Sequence, residues 1–177
     1  MSNVDQLEDL DGIGIQCIKT FFQGGAVLMN SIFEQCHTNE MIARIQRLRP
    51  DSQPRWGNMN VAQMLAHCSS FQEIAMGNSS SSRSWLGVVI GKFVKPIFYN
   101  DKPLPRNMST IPDIMIVDER DFDAEKETLI QKIITFQNNG PENCTTRPHP
   151  FFGKFSPEEW GKGIYKHLDH HLKQFGV

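Results

Sequence analysis

Residues 156–177 read SPEEWGKGIYKHLDHHLKQFGV, and the way this stretch coils decides the fold. Ser156 can cap a helix, Pro157 fits its first position, and Glu159 completes a reciprocal capping box. Glu158 and Glu159 also place negative charge at the positive end of the helix dipole. The spacing predicts a helix from Pro157 to Phe175, ended by Gly176. With about 100° per residue and His167 at zero, Trp160, Ile164, Tyr165, Leu168, Leu172 and Phe175 fill a wedge from roughly 20° to 160°. His171 falls inside that wedge at about 40°, His167 lies on its edge, and His170 turns about 60° the other way, towards solvent. His167 and His171 therefore form a pair one turn apart on the face that meets the core.

The rest of the chain reads as further helices with no strand series. TNEMIARIQRLRP carries a stripe of Met41, Ile42, Ile45 and Leu48, with Thr38 or Asn39 as its cap and Pro50 as its stop. A second helix spans about Asn60 to Met76 and closes at Gly77, which tolerates a left-handed turn. SSSS at 79–82 reads as a polar linker. WLGVVIGKFVKPIFY, 85–99, is the most apolar segment. Interrupted by Lys92, Lys95 and Pro96, it falls short of the ~20 apolar residues a membrane span needs. Gly87 and Gly91 in it fit a buried helix that packs closely. NDKPLPRNMSTIPD, 100–113, is a long irregular connection of the kind that often carries function. DFDAEKETLIQKIITFQNNGP predicts a helix with Phe122, Leu129, Ile133 and Phe136 on one face, closed by Gly140 and Pro141. Long amphipathic helices without alternating strands argue for an all-α helical bundle.

A metal held by His167 and His171 needs a third ligand from another element. In MNVAQMLAHCSSFQEIAMG, His67 is bracketed by Ile74 on one side and Phe71, Met64, Ala75 and Cys68 on the other, so it points to the core. Burying an imidazole without a partner is costly. Three neutral imidazoles from two facing helices would leave a coordination position open, as catalytic metal sites do. The competing reading is a set of buried histidines bonded to backbone or to each other. His37 is expected in solvent, His149 in a Pro-rich turn at a site mouth, and Cys68 in the core. Gln174, about 20° from His167, is either a donor behind the ligands or a polar helix end. Glu73 and Asp169 project away from the ligand face, so no separate general base is evident.

The 177 residues suit one domain, and 18 basic against 20 acidic residues leave no basic footprint for nucleic acid. Cys17, Cys36, Cys68 and Cys144 are scattered without a C-x-x-C pair, which fits a reducing cytoplasmic location. The first ten residues hold three acids and no base, unlike a secretory signal.

MNVAQMLAHC followed by HPFFGKFSPEEWGKGIYKHLDHHLKQFG resembles the DinB/YfiT-like superfamily, in a branch known only as a domain of unknown function. The resemblance runs from about Asn30 to the C-terminus. It implies a four-helix bundle with up-down-down-up connectivity and a long crossover. It also implies a divalent metal, zinc or nickel first, iron or manganese next, held by three histidines; His67, His167 and His171 match those positions. Relatives include thiol-dependent transferases, isomerases and metal-dependent hydrolases. The segment WLGVVIGKFVKPIFYNDKPLPRN departs from the transferases.

These observations favour a metal-dependent enzyme of hydrolase or thiol-transferase type acting on a small molecule, with a low-molecular-weight thiol as a cosubstrate and a homodimer as one assembly. The alternatives are a non-catalytic metal-binding or interaction module, and a peripheral membrane protein that uses the 85–99 helix. Residues 29–177 are expected to form the bundle, with 1–28 an N-terminal extension. In a bacterial source Gln23-Gly24-Gly25 could encode a ribosome-binding sequence upstream of a Met29 start, which would place 1–28 outside the native protein. A genuine N-terminal arm is the alternative.

Overall fold

Prolines and glycines divide the chain into the helices its apolar periodicity supports. The computed structural model describes residues 30–79, 84–100 and 102–177; the readings of 1–28 and of 80–82 lie outside them. Five α-helices follow in order: α1 (Gln35–Gln46), α2 (Val61–Met76), α3 (Trp85–Val94), α4 (Phe122–Asn139) and α5 (Pro157–Gln174). Short 3-10 turns occupy Lys95–Phe98, Pro112–Ile114 and Pro141–Asn143. No strand occurs among the described residues, where extended pairing is limited to an isolated bridge between His149 and Gly153.

The helix starts follow the local chemistry of their caps. Ser156 Oγ accepts from the Glu159 N–H at 3.1 Å, and Glu159 accepts from the Ser156 N–H at 2.7 Å. Asn60 and Gln63 make the same reciprocal pair at α2. Each such cap stabilises its helix by about 1 kcal/mol. α2 ends at Gly77 with φ of +79°, a conformation that costs a side-chain-bearing residue strain. α1 differs from expectation. It begins earlier, at Gln35, and Thr38 lies inside it, donating to the Ile32 carbonyl at 2.6 Å. The hydroxyl is used to dock the incoming chain, so it is not free to cap.

Four of the helices pack in a ring in which α1 and α2 each touch both α4 and α5. Named contacts fix their directions. Gln63 near the start of α2 reaches the Asp118 carbonyl just before α4, and Glu73 further along α2 pairs with Lys132 at 2.8 Å, so α2 and α4 run parallel. Ile32 bonds Gly161, and Arg44 pairs with Asp169 at 2.9 Å, so α1 and α5 run parallel. Lys126 at the start of α4 binds the Gln46 carbonyl at the end of α1, which makes those two antiparallel. Between them lies a core that includes Met41, Ile45, Leu65, Ile133, Trp160 and Ile164, all 1 % exposed or less. Each fully buried aliphatic side chain contributes about 1.5–3 kcal/mol by leaving water.

α3 stands outside this ring. Gly87 and Gly91 do pack closely, against the Phe151 backbone, but the rest of the helix is not buried as its composition suggests. Trp85 is 78 % and Phe93 72 % exposed, and Leu86, Val88, Val89 and Ile90 are also exposed. The glycines give α3 one flat contact face, and the opposite face is left to solvent. A side-chain carbon at Gly87 would come 2.5 Å from the Phe151 carbonyl oxygen, and one at Gly91 closer still. Gly91→Ala is therefore expected to destabilise the protein by about 1–3 kcal/mol, as overpacked sites do. Urea denaturation checks this; an unchanged midpoint would mean that α3 shifts freely on Phe151.

Candidate metal centre

α2 and α5 cross the core side by side, and Phe71 on α2 stacks near His167 on α5 with ring centroids 4.4 Å apart. That packing brings His67 against His167 and His171, the pair one turn apart. All three are buried, at 3, 6 and 7 % exposure. Their ring centroids form a nearly equilateral triangle with sides of 4.9, 4.8 and 4.7 Å. One nitrogen from each lies within 4.8 Å of the others.

Hydrogen bonds behind the rings fix which nitrogens face inward. His67 Nδ1 lies 2.8 Å from the Ile114 carbonyl oxygen, which can only accept, so Nδ1 carries the proton and Nε2 keeps its lone pair. His171 Nδ1 lies 2.8 Å from Gln174 Oε1. The amide orientation of Gln174 is set by its NH2 group, which donates to the Trp56 carbonyl at 2.6 Å. His171 therefore also presents a bare Nε2. His67 Nε2 and His167 Nε2 are 3.1 Å apart. That contact closes by a proton donated from His167 or by a shared cation.

The electrostatics act in the same direction. Burial lowers the pKa of all three imidazoles; His171 falls to about 3 and His167 well below its ordinary value, helped by the neighbouring rings. Neutral imidazole is the form that binds metal. Zinc–nitrogen bonds of about 2.0–2.1 Å at tetrahedral angles put two ligand nitrogens about 3.3 Å apart, close to the observed 3.1 Å. The donor set and its burial suit a divalent ion, with one nitrogen pair at 3.1 Å and all three within 4.8 Å of one another. The oriented partners behind the ligands are typical of metal-binding histidines.

The remaining candidates fall where the packing sends them. Glu73 is engaged by Lys132, and Asp169 by Arg44 and Lys173, so neither supplies a base to the histidines. His37 is half-buried on α1, close to Ser31 and edge-on to Tyr165, not in solvent. His170 is half-buried as well, against Trp56 at 5.6 Å, since the chain around Trp56 covers the side the helical wheel leaves open. His149 is 1 % exposed, deeper than a site mouth. Its Nδ1 accepts from the Phe151 and Phe152 N–H groups at 3.1 and 3.2 Å, which places its proton on Nε2, a buried atom with no hydrogen-bond partner. Cys68 is core, packed on Met64. Gln174 resolves as the residue that orients His171.

A cavity of about 950 Å³ opens on the three histidines. Phe71, Phe98 and Phe152 wall one side of it, and the irregular segment from Leu104 to Ile116 walls the other. The sequence marks 100–113 as a connection of the kind that carries function, without placing it at the histidines. A backbone carbonyl such as that of Ile114 leaves no signature in residue type.

Gln174→Ala is expected to weaken divalent-metal affinity about ten- to hundredfold, the usual effect of losing an orienting partner. Gln174→Glu keeps an acceptor for His171 Nδ1 and should retain most of the affinity. Chelator competition measures both; equal loss from both would assign Gln174 to helix-end packing instead.

A family model described as "Protein of unknown function (DUF1569)" matches residues 32–176. No curated protein and no solved structure gives a match.

Proposed function

The chain belongs to the DUF1569 family of proteins of unknown function, and from that premise we propose that it is a divalent-metal-dependent enzyme with hydrolase or thiol-transferase chemistry. One observation carries this reading. Three buried, neutral imidazoles turn their Nε2 atoms together at the inner end of a large cavity. Enclosed apolar cavities with a few convergent polar groups are the usual form of small-molecule sites.

His67, His167 and His171 would hold the ion, and zinc or nickel suits three nitrogen ligands. A bound ion supplies Lewis-acid chemistry, polarising a substrate oxygen or acidifying a water or thiol. The chain does the rest. Ile114 and Gln174 fix the tautomers of His67 and His171. Phe71, Phe98 and Phe152 keep bulk water from the inner wall. The Leu104–Ile116 segment bounds the space in which a substrate lies. Glu73 and Asp169 are held in ion pairs elsewhere, which leaves Asp113 as the one carboxylate on the described lining of the cavity.

The helix directions, α1 and α5 one way and α2 and α4 the other, support a bundle of DinB/YfiT type formed by residues 29–177. Cys68 and Cys144 form no disulfide, which supports a cytoplasmic location. Among the described residues no helix is long and apolar enough to cross a membrane.

Elemental analysis of untagged protein tests the proposal, with about one divalent ion per chain as the expected result. Water-proton relaxation of the cobalt-substituted protein then reads the coordination sphere. An exchanging water supports the enzyme. A bound ion with no exchanging water would mean a structural clamp, the non-catalytic alternative, and no bound ion would end both.

A further inference from the structure

The cavity also constrains what can occupy it. It is bounded mainly by apolar side chains, and among the described residues no lysine or arginine lines it. The one fixed charge on its described lining is Asp113, whose sign repels anions. Phosphate and carboxylate groups are held in proteins by cationic or charge-assisted donors, and an unpaired charge taken from water is strongly disfavoured. The entrance is mixed: exposed Asn58, Asn107, Ser109, Thr110 and Asp113 stand there beside apolar side chains. Leu86, Met108 and Met115 line the cavity and are 42, 40 and 57 % exposed, so they form the apolar part of its rim. Leu86 joins that rim to the exposed face of α3, where Val89 and Phe93 meet solvent. Exposed apolar patches of this kind mark binding sites.

We propose that the cavity takes an uncharged, predominantly apolar chain-bearing compound, its single polar group directed to the histidines. This rests on the enzyme reading for the meaning of "substrate", but not for the binding itself. It places carboxylate-bearing thiols and phosphate esters among the poor ligands. Asn58, Ser109 and Thr110 line the cavity but are exposed, so the ligand's polar group is left to the buried histidines.

The test is displacement of a neutral fluorescent probe, N-phenylnaphthylamine, by straight-chain primary amides from hexanamide to dodecanamide and by the matching carboxylates. It is run on chelator-treated and on metal-loaded protein. Amide affinity should rise about three- to fourfold per added methylene until the cavity is full, from the transfer of each CH2 out of water. In the metal-free protein each carboxylate should bind at least about tenfold more weakly than its amide, since its charge finds no partner. Met115→Lys changes an exposed rim residue and should narrow that gap without altering the melting temperature. Flat affinity along the amide series, or carboxylates that equal the amides in metal-free protein, would overturn the proposal. Metal content is measured on the same samples. A chain without metal that still selects long neutral amides would sink the enzyme reading and leave this one standing.

Discussion

His67→Ala is expected to yield a folded protein that purifies without its ion. The wild-type site joins two helices through three nitrogens, and removing His67 leaves only the pair on α5. Loss of affinity should far exceed the ten- to hundredfold that an orienting partner contributes. His167→Ala and His171→Ala should behave alike, whereas His170→Ala should keep close to one ion per chain. Stability gives an independent readout. Metal at a thousandfold excess over its dissociation constant stabilises a fold by about 4 kcal/mol. A chelator should therefore lower the melting temperature of wild type and His170→Ala and leave that of His67→Ala unchanged. Some direct destabilisation accompanies the substitution, because the Ile114 carbonyl loses its donor, a cost of about 1–3 kcal/mol. Equal metal loss in all four variants would refute the assignment of His170 outside the ligand set.

Mild acid should unfold the metal-free protein. His149 and His171 sit where burial drives their pKa to about 3, against about 6.5 in an unfolded chain. Above 6.5 both states are neutral, and these groups give no pH dependence. Below it the unfolded chain takes up protons that the fold excludes, so stability falls as pH drops from 6.5 towards 3. Each such histidine costs about 1.4 kcal/mol per pH unit in that window. The two together remove roughly 5 kcal/mol by pH 4.5, comparable with the total stability of many domains. His67 and His167 are shifted in the same direction and add to the fall. Urea midpoints at several pH values measure it. Bound metal should raise the whole curve and leave its slope in this window unchanged, because the unfolded chain takes up the same protons whether or not the fold holds an ion. Midpoints that stay constant between pH 7 and 5 without metal would show that the histidines are not kept neutral.

Much of this site could be read from periodicity. Helical spacing placed His67, His167 and His171 on core-facing stripes, because burial of Trp160, Ile164 and Leu168 on one side and Met64 and Phe71 on the other leaves little choice of face. The start of α5 was legible for a similar reason: Ser156, Pro157 and Glu159 act within one turn. The misjudged residues depend on what lies opposite. His170 turns from the apolar wedge as the wheel requires, yet the chain around Trp56 covers it. His149 lies in the expected loop and lines the cavity, but its ring is drawn inward by Phe152, Phe155 and Trp160 and is buried where a site mouth was expected. α3 looked like a core helix because composition counts apolar side chains and not the helices available to cover them. Four others already enclose the core.

The parallel course of α2 and α4 has a further consequence. A 16-residue α2 is about 24 Å long, so the chain must travel back along the molecule before α4 begins. The described part of that return path bounds the cavity, while the three histidines that could hold an ion come from α2 and α5. The histidine cluster and this wall of the cavity are thus carried on separate stretches of chain. Hydrogen bonds link them from Ile114 to His67 and from Leu104 to His170. Substitutions within 102–116 that spare these links and the buried Leu104 and Ile114 would reshape the cavity and leave the histidine triangle in place.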